Sequence, residues 1–246
     1  MTKTTASLWV LFLSAGVAVS QAQQSVHAPD GGTRETLTSI AVPPLPNAPF
    51  SATVQTEWTK YLADGTTELI QNHRLIARDG LGRVFQERAM LAPKGSPIES
   101  QITRTELAEP STHTVALCET RTHVCELRPY VGPAATAPAG PHANRPGFVS
   151  ENLGSQVLNG LDLIGTRETQ TLNPLVGGFD RPITVVKEFW YSKQLGLNVL
   201  TTRNDPRSGK EVFTVTDIRR GEPDASLFAL PAGFRVVDLR AVALAR

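Results

Sequence analysis

This sequence is short of the residues that usually announce chemistry. It has two cysteines, two methionines and five histidines in 246 residues. None of the histidines, at 27, 73, 113, 123 and 142, has a partner two or four residues away, and no H-E-x-x-H occurs. A metal centre built by local spacing is therefore excluded. His113 and His123 flank the cysteine pair, but oxidised thiols would not bind zinc there. G-x-S-x-G, G-x-x-x-x-G-K-[ST] and G-x-G-x-x-G are absent, which removes nucleophile-elbow and phosphate-cradle readings. Charge of one sign is lacking too: 24 Lys and Arg stand against 23 Asp and Glu. Neither a basic nucleic-acid footprint nor an acidic solvating tail follows. No segment shows helical periodicity over three turns. The acid–base strings around Asp180–Arg181 and Asp205–Arg207 read as turns, since Asn-Asp-Pro and Ser-Gly favour them. No enzymatic activity, metal or cofactor is expected.

What is present begins with "MTKTTASLWVLFLSAGVAVSQAQQ". Lys3 precedes an apolar run from Leu8 to Val19, and Ser20-Gln21-Ala22 fits a small-x-small cleavage site. Residues 1–22 are expected to be a signal peptide. The run is shorter than the roughly 20 apolar residues a spanning helix needs. The mature protein is expected to be periplasmic and soluble, without a lipid anchor because no cysteine sits at the cleavage site. Residues 23–48 carry Pro43, Pro44 and Pro46 and read as a flexible lead-in.

From residue 49 to 240 the pattern is that of one β-rich domain. In "FSATVQTEWTKYL", Phe50, Ala52, Val54, Trp58 and Leu62 share one parity, with polar residues between. Period 2 marks a strand with one buried face. "ADGT" turns into "TTELIQNHRLIAR", and "DGLG" turns into "RVFQERAMLA", giving an antiparallel meander. "THTVALCETRTHVCELRPY" reads as a hairpin about Arg121-Thr122. That register faces Cys118 with Cys125, at the roughly 4.5–5.5 Å Cα spacing of opposed residues. In an exported protein the pair is expected to be a disulfide staple rather than a redox site, since C-x6-C is not C-x-x-C. Residues 132–147, rich in Ala, Gly and Pro, read as a loop inside the sheet. "LDLIGTRETQTL", "ITVVKEFWYS", "LNVLTTRND" and "KEVFTVTDIRR" follow as strands. "PDASLFAL" reads as a short helical turn capped by Asp224, and "GFRVVDLRAV" as the strand that closes the sheet. The fold class is all-β to β-rich α+β.

"GTRETQTL", "DRPITVVKEFWYS", "LNVLTTRNDPRSGKEVFTVTDIRRGEPDASLF" and "LPAGFRVV" resemble exported bacterial proteins of the outer-membrane lipoprotein carrier (LolA/LolB-like) superfamily, in its uncharacterised branch. "RDGLGRVFQERAM" and "VALCETRTHVCEL" resemble hairpins of the same group, so the likeness runs from about Phe50 to Asp238. It implies a strongly curved antiparallel sheet, a half-barrel, whose apolar concave face takes acyl chains or partner segments. A sheet face needs a cover. With no amphipathic helices available, loops 132–147 and 173–182 are the expected plugs. Trp58, Val54, Phe189 and Tyr191 are the candidate ligand-binding residues of that face. The expected function is non-enzymatic binding of a lipid, a lipoprotein or a hydrophobic partner segment. The alternative is an envelope protein-interaction or stress-sensing module acting through sheet edges.

Overall fold

The computed structural model describes residues 40–96, 100–130, 146–174 and 180–243. The expected signal peptide, most of the expected lead-in, nearly all of the expected plug loop 132–147 and half of the loop 173–182 lie outside the described residues. The strands are β1 (Phe50–Tyr61), β2 (Thr67–Arg78), β3 (Val84–Ala89), β4 (Ala92–Pro93), β5 (Ile102–Glu109), β6 (Thr114–Glu119), β7 (Val124–Pro129), β8 (Phe148–Leu158), β9 (Leu161–Leu172), β10 (Ile183–Ser192), β11 (Leu197–Asp205), β12 (Gly209–Arg220) and β13 (Arg235–Asp238). They form one open, curved sheet in the order β13-β7-β6-β5-β3-β2-β1-β12-β11-β10-β9-β8, with β4 beside β2. Every neighbouring pair is antiparallel except β13, which lies parallel to β7. The sheet is centred on β1, which pairs with β2 on one side and β12 on the other.

The period-2 pattern of β1 fixes which face is buried. Phe50, Ala52, Val54, Thr56 and Trp58 are all buried, and the residues between them are not. Leu62 falls one residue past the strand and is exposed. Across the register Val54 faces Val215, and Thr56 faces Phe213. Phe213 in turn faces Thr201, and Thr201 faces Phe189. Opposed residues share a face, so one apolar floor runs from β1 to β10. On β2 the same face carries Ile76, Arg74 and Arg78.

Arg78 shows how strongly the sheet curls. It is fully buried, and its Nη2 donates to the carbonyl of Leu195 at 2.7 Å. Leu195 lies in the turn between β10 and β11. Strands β2 and β11 are three steps apart in the sheet, about 14 Å if it were flat, which is beyond the reach of one arginine. The sheet therefore bends toward the Arg78 face, and that face is concave. Bulges opposite Ala52, at Trp190–Tyr191 and at Asn152–Gly154 supply local bending. Gly165 permits one of these close approaches, because a Cβ there would sit 2.7 Å from the Trp190 ring. Gly209, at φ +111°, is pressed against the Thr59 carbonyl, where only glycine fits.

Residues 40–48 are packed, although the sequence places them in the lead-in. Ile40 and Val42 are buried. Arg74 Nη2 donates to the Ile40 carbonyl at 3.0 Å, and Arg78 donates to Pro43 and Ala48 at 3.0 and 2.9 Å. The chain thus lays an N-terminal strap over the concave face.

The expected third strand, 83–92, is two strands. β3 pairs with β2 only as far as Gln86 and then follows β5, while β4 returns to β2. Where β3 departs, the Glu87 carboxylate takes the Leu75 amide at 2.7 Å. β5 and β8 have no counterpart in the sequence reading.

On β5, β6 and β7 the buried face is the opposite one. Ala116, Cys118 and Cys125 pack there with Leu107, Leu127 and Phe234. Cys118 and Cys125 are opposed in the register, 4.0 Å apart between Cα atoms, and bonded. The Phe234 ring stacks on His123 at 4.9 Å. The short turn Ala225–Phe228 has Asp224 as its cap, accepting from Ser226 N at 2.9 Å. This C-terminal crossing covers the convex side of the wing before β13 joins β7.

Two outcomes follow. Arg78→Met leaves three carbonyls without donors, and it is expected to cost on the order of 3 kcal/mol in a urea unfolding titration; an unchanged midpoint would contradict the role given to Arg78. Alkylation without reductant is expected to label neither cysteine, and the Cys118→Ser/Cys125→Ser variant to lose about 2–3 kcal/mol. Full labelling of the oxidised protein would refute the staple.

Candidate functional site

The concave face has three regions. The first lies under the strap, where Phe50, Val54, Ile76 and Val215 form the floor and all are essentially inaccessible. Arg78 lies 5.0 Å above the Phe50 ring. Burial pushes its guanidinium down to about 10, and the nearby Tyr191 hydroxyl works against that shift. It stays charged at neutral pH, held by three carbonyls and one aromatic face.

The second region is the open end of the same face. A depression of about 280 Å³ is lined there by Phe148, Leu172 and Val185 together with Gln170, Glu168, Lys187, Arg203 and Arg207. Beneath it lies an ion network. Arg203 donates to Glu211 at 2.7 Å and to Asp205 at 2.8 Å, and Arg207 binds Asp205 at 2.6 Å. Asp205 and Glu211 are both buried. The Arg207 hydrogen bonds outweigh burial and hold the Asp205 carboxyl below its usual range. Asp205 also accepts the Arg207 amide at 3.0 Å, so "NDPRSG" is a turn, as its composition predicts, and an ion-paired one.

The third region is the wing from β3 to β6. Its concave side is charged: Glu106 binds Arg88 and Arg104, each at 2.8 Å. Burial raises the Glu106 carboxyl, but the two arginines outweigh it and the net shift is downward. The apolar floor therefore narrows past β2 to Val84 and Ala108, which continue the Arg78 row.

Val54 and Trp58 lie on the concave face of β1, and the register joins Phe189 to that face through Thr201 and Phe213, whereas Tyr191 lies past the Trp190–Tyr191 bulge and opposes Asn198. Val54 and Trp58 are buried, whereas Phe189 and Tyr191 are half-buried. Trp58 donates from Nε1 to the Ser208 carbonyl at 3.0 Å, and Lys60 lies 5.0 Å from its ring. It joins the floor to the β11–β12 turn and does not line the open depression. The depression's own residues were missed by sequence reasoning. Phe148 sits on an edge strand without alternation, and Val185 sits in a strand with apolar residues on both faces. Among the described residues no group of three His, Cys, Asp or Glu side chains could hold a metal ion. No helix among them is long and apolar enough to cross a membrane.

No family model matches the chain, and no curated protein matches it. Among solved structures it is similar to the crystal structure of MucB, at 13% identity and TM-score 0.35, over 77% of this chain and 60% of that one. It is similar to LprF from Mycobacterium bovis, at 13% identity and TM-score 0.30, over 76% and 91% of the two chains. It is also similar to the LolA superfamily protein NE2245 from Nitrosomonas europaea, at 11% identity and TM-score 0.29, over 75% and 91%. The chain spans about 60% of MucB.

Proposed function

We propose that this is an exported, non-enzymatic binding protein that accommodates an apolar ligand, a lipid, a lipoprotein or a hydrophobic partner segment, on its concave sheet. The observation that carries this reading is the apolar floor that the register joins from β1 to β10, with the depression beside Phe148, Leu172 and Val185 on the same face beyond the charged row of Glu211, Arg203, Lys187 and Glu168. An apolar group entering there leaves water at about 25 cal/mol per Å² of surface buried. Phe189 and Tyr191, both half-buried on β10, are proposed as wall residues, and Val54 and Trp58 as the floor behind them. The network below supports binding rather than catalysis. Asp205 is held as an anion by Arg207 and Arg203, and a carboxylate locked in that way is a poor proton shuttle. The periplasm suits the oxidised Cys118–Cys125 pair.

The edge-binding alternative has less support. β8 is the edge of the sheet among the described residues, but its Asn152–Gly154 bulge interrupts a flat template for strand addition.

The environment-sensitive dye N-phenylnaphthylamine is expected to bind the folded mature protein saturably. Leu172→Glu, at the mouth, is expected to weaken it about tenfold, or ~1.4 kcal/mol, without changing the circular dichroism spectrum. Absence of saturable binding would sink the proposal. Asp205→Asn is expected to destabilise the fold by about 1–3 kcal/mol near neutral pH. Because the folded carboxyl lies below its ordinary value, this contribution is present above pH ~3.9 and fades as pH falls through the folded value. Urea midpoints of wild type and variant should therefore converge in acid, and a constant gap would count against the ion network.

A further inference from the structure

The strap over the concave face shows what that face can hold. Residues 40–48, "IAVPPLPNA", carry three prolines, which have no amide hydrogen. Val42 and Leu45 each precede a proline and are biased to extended backbone. The strap is therefore poor in donors and runs without a turn from Ile40 to Leu45; it turns at Pro46-Asn47, where Asn47 has φ +61°, and joins no strand of the sheet. Its main-chain ties run almost entirely the other way, through carbonyl oxygens. Arg74 takes the carbonyl of Ile40, and Arg78 takes those of Pro43 and Ala48. Between these anchors Ile40 and Val42 point into burial, two residues apart, while Leu45 is 39% exposed. The one amide bond from the strap to the rest of the fold is Asn47 N to the Gly80 carbonyl, at 3.0 Å.

This is a way of binding polypeptide. Two buried guanidiniums supply fixed donors, an extended chain supplies carbonyls at intervals, and apolar side chains of alternate residues fill the floor. A hydrocarbon chain could fill the same floor but would not accept the arginine hydrogen bonds that now go to Ile40, Pro43 and Ala48, which is costly at a buried site. A proline-bearing segment also loses little conformational entropy on binding, because it is already extended.

We propose that the Arg74–Arg78 end of the concave face is a recognition site for an extended, proline-bearing apolar polypeptide segment of a partner protein, and that residues 40–48 occupy it in cis. This rests on the binding reading above and narrows its ligand class. The strap is not part of a strand, so an incoming segment of like chemistry replaces it without opening the sheet. The cis copy acts as a competitor that sets the apparent affinity, since only the strap-free fraction binds.

The test titrates a fluorescein-labelled peptide with the sequence of residues 39–50 against the mature chain, read by anisotropy. Ile40→Ser/Val42→Ser weakens the cis competitor and is expected to bind the peptide at least tenfold more tightly than wild type. Adding Arg74→Met is expected to remove that gain. Equal peptide affinity in wild type and the double variant overturns the proposal, as does equal binding of a scrambled peptide. If the double variant lacks the native circular dichroism spectrum, Val42→Ser alone is used with the same outcomes. N-phenylnaphthylamine is titrated in parallel. Dye binding that strengthens while peptide binding does not would overturn the peptide site and leave the apolar-ligand reading standing. Loss of both signals in folded protein would overturn both.

Discussion

The buried guanidinium of Arg78 is the constraint around which the concave half of the fold is organised. A charge at zero exposure is tolerated only if it is well hydrogen-bonded. Its Nε, Nη1 and Nη2 go to Ala48, Pro43 and Leu195, and its plane lies over Phe50. Those partners come from the strap, from a turn three strands away and from the first residue of β1. Satisfying one side chain thus fixes where the N-terminal chain crosses and how far the sheet bends. The bulges make the bending possible, and Arg78 selects one amount of it.

Much of this was legible in the residues and some was not, for identifiable reasons. β1 was legible because Phe50, Ala52, Val54 and Trp58 alternate with polar residues on a half-buried strand. The Cys118–Cys125 pairing was legible because hairpin register and oxidation state both follow from local information. β5 was missed because its concave-side residues are Arg104 and Glu106, which are buried by mutual pairing and so break the apolar alternation. β8 was missed because an edge strand exposed along nearly all its length has no face to mark. The strap was misread for a different reason. Three prolines forbid helix and central strand, but they do not forbid packing, and the carbonyl partners that hold the strap lie on β2, some 30 residues away.

The candidate site divides in the same way. Sequence alternation placed Val54, Trp58, Phe189 and Tyr191 on their strands; the register joins the first three into one face, and the bulge at Trp190–Tyr191 breaks the alternation before Tyr191. The depression beside Phe148, Leu172 and Val185 depends on how β8 to β12 curl together, which no local pattern records. Asp205 and Arg207 read as turn residues from composition, and they lie at the edge of and within the β11–β12 turn, with Arg203 on β11 as its alternation predicts. Their second role, neutralising one another and Glu211 beneath the depression, appears only when β11 and β12 are paired.

The change of buried face between β2 and β5 explains why the chain needs two straps rather than one. On β1 and β2 the apolar residues point to the concave side, where Ile40 and Val42 cover them. Across β3 and β5 the concave side carries Arg88, Arg104 and Glu106, and on β5 to β7 the apolar cluster lies the other way, around the disulfide. No single layer can cover both. The N-terminal segment serves the first face and the C-terminal segment, through Phe228 and Phe234, serves the second. The two covers differ in how they are attached. The C-terminal one ends in main-chain pairing with β7 and a ring stack on His123, so it is built into the sheet. The N-terminal one is held by two apolar side chains and by carbonyls lent to arginines. If either cover is to yield to a ligand, the attachment chemistry singles out the N-terminal one, on the same face as the open depression.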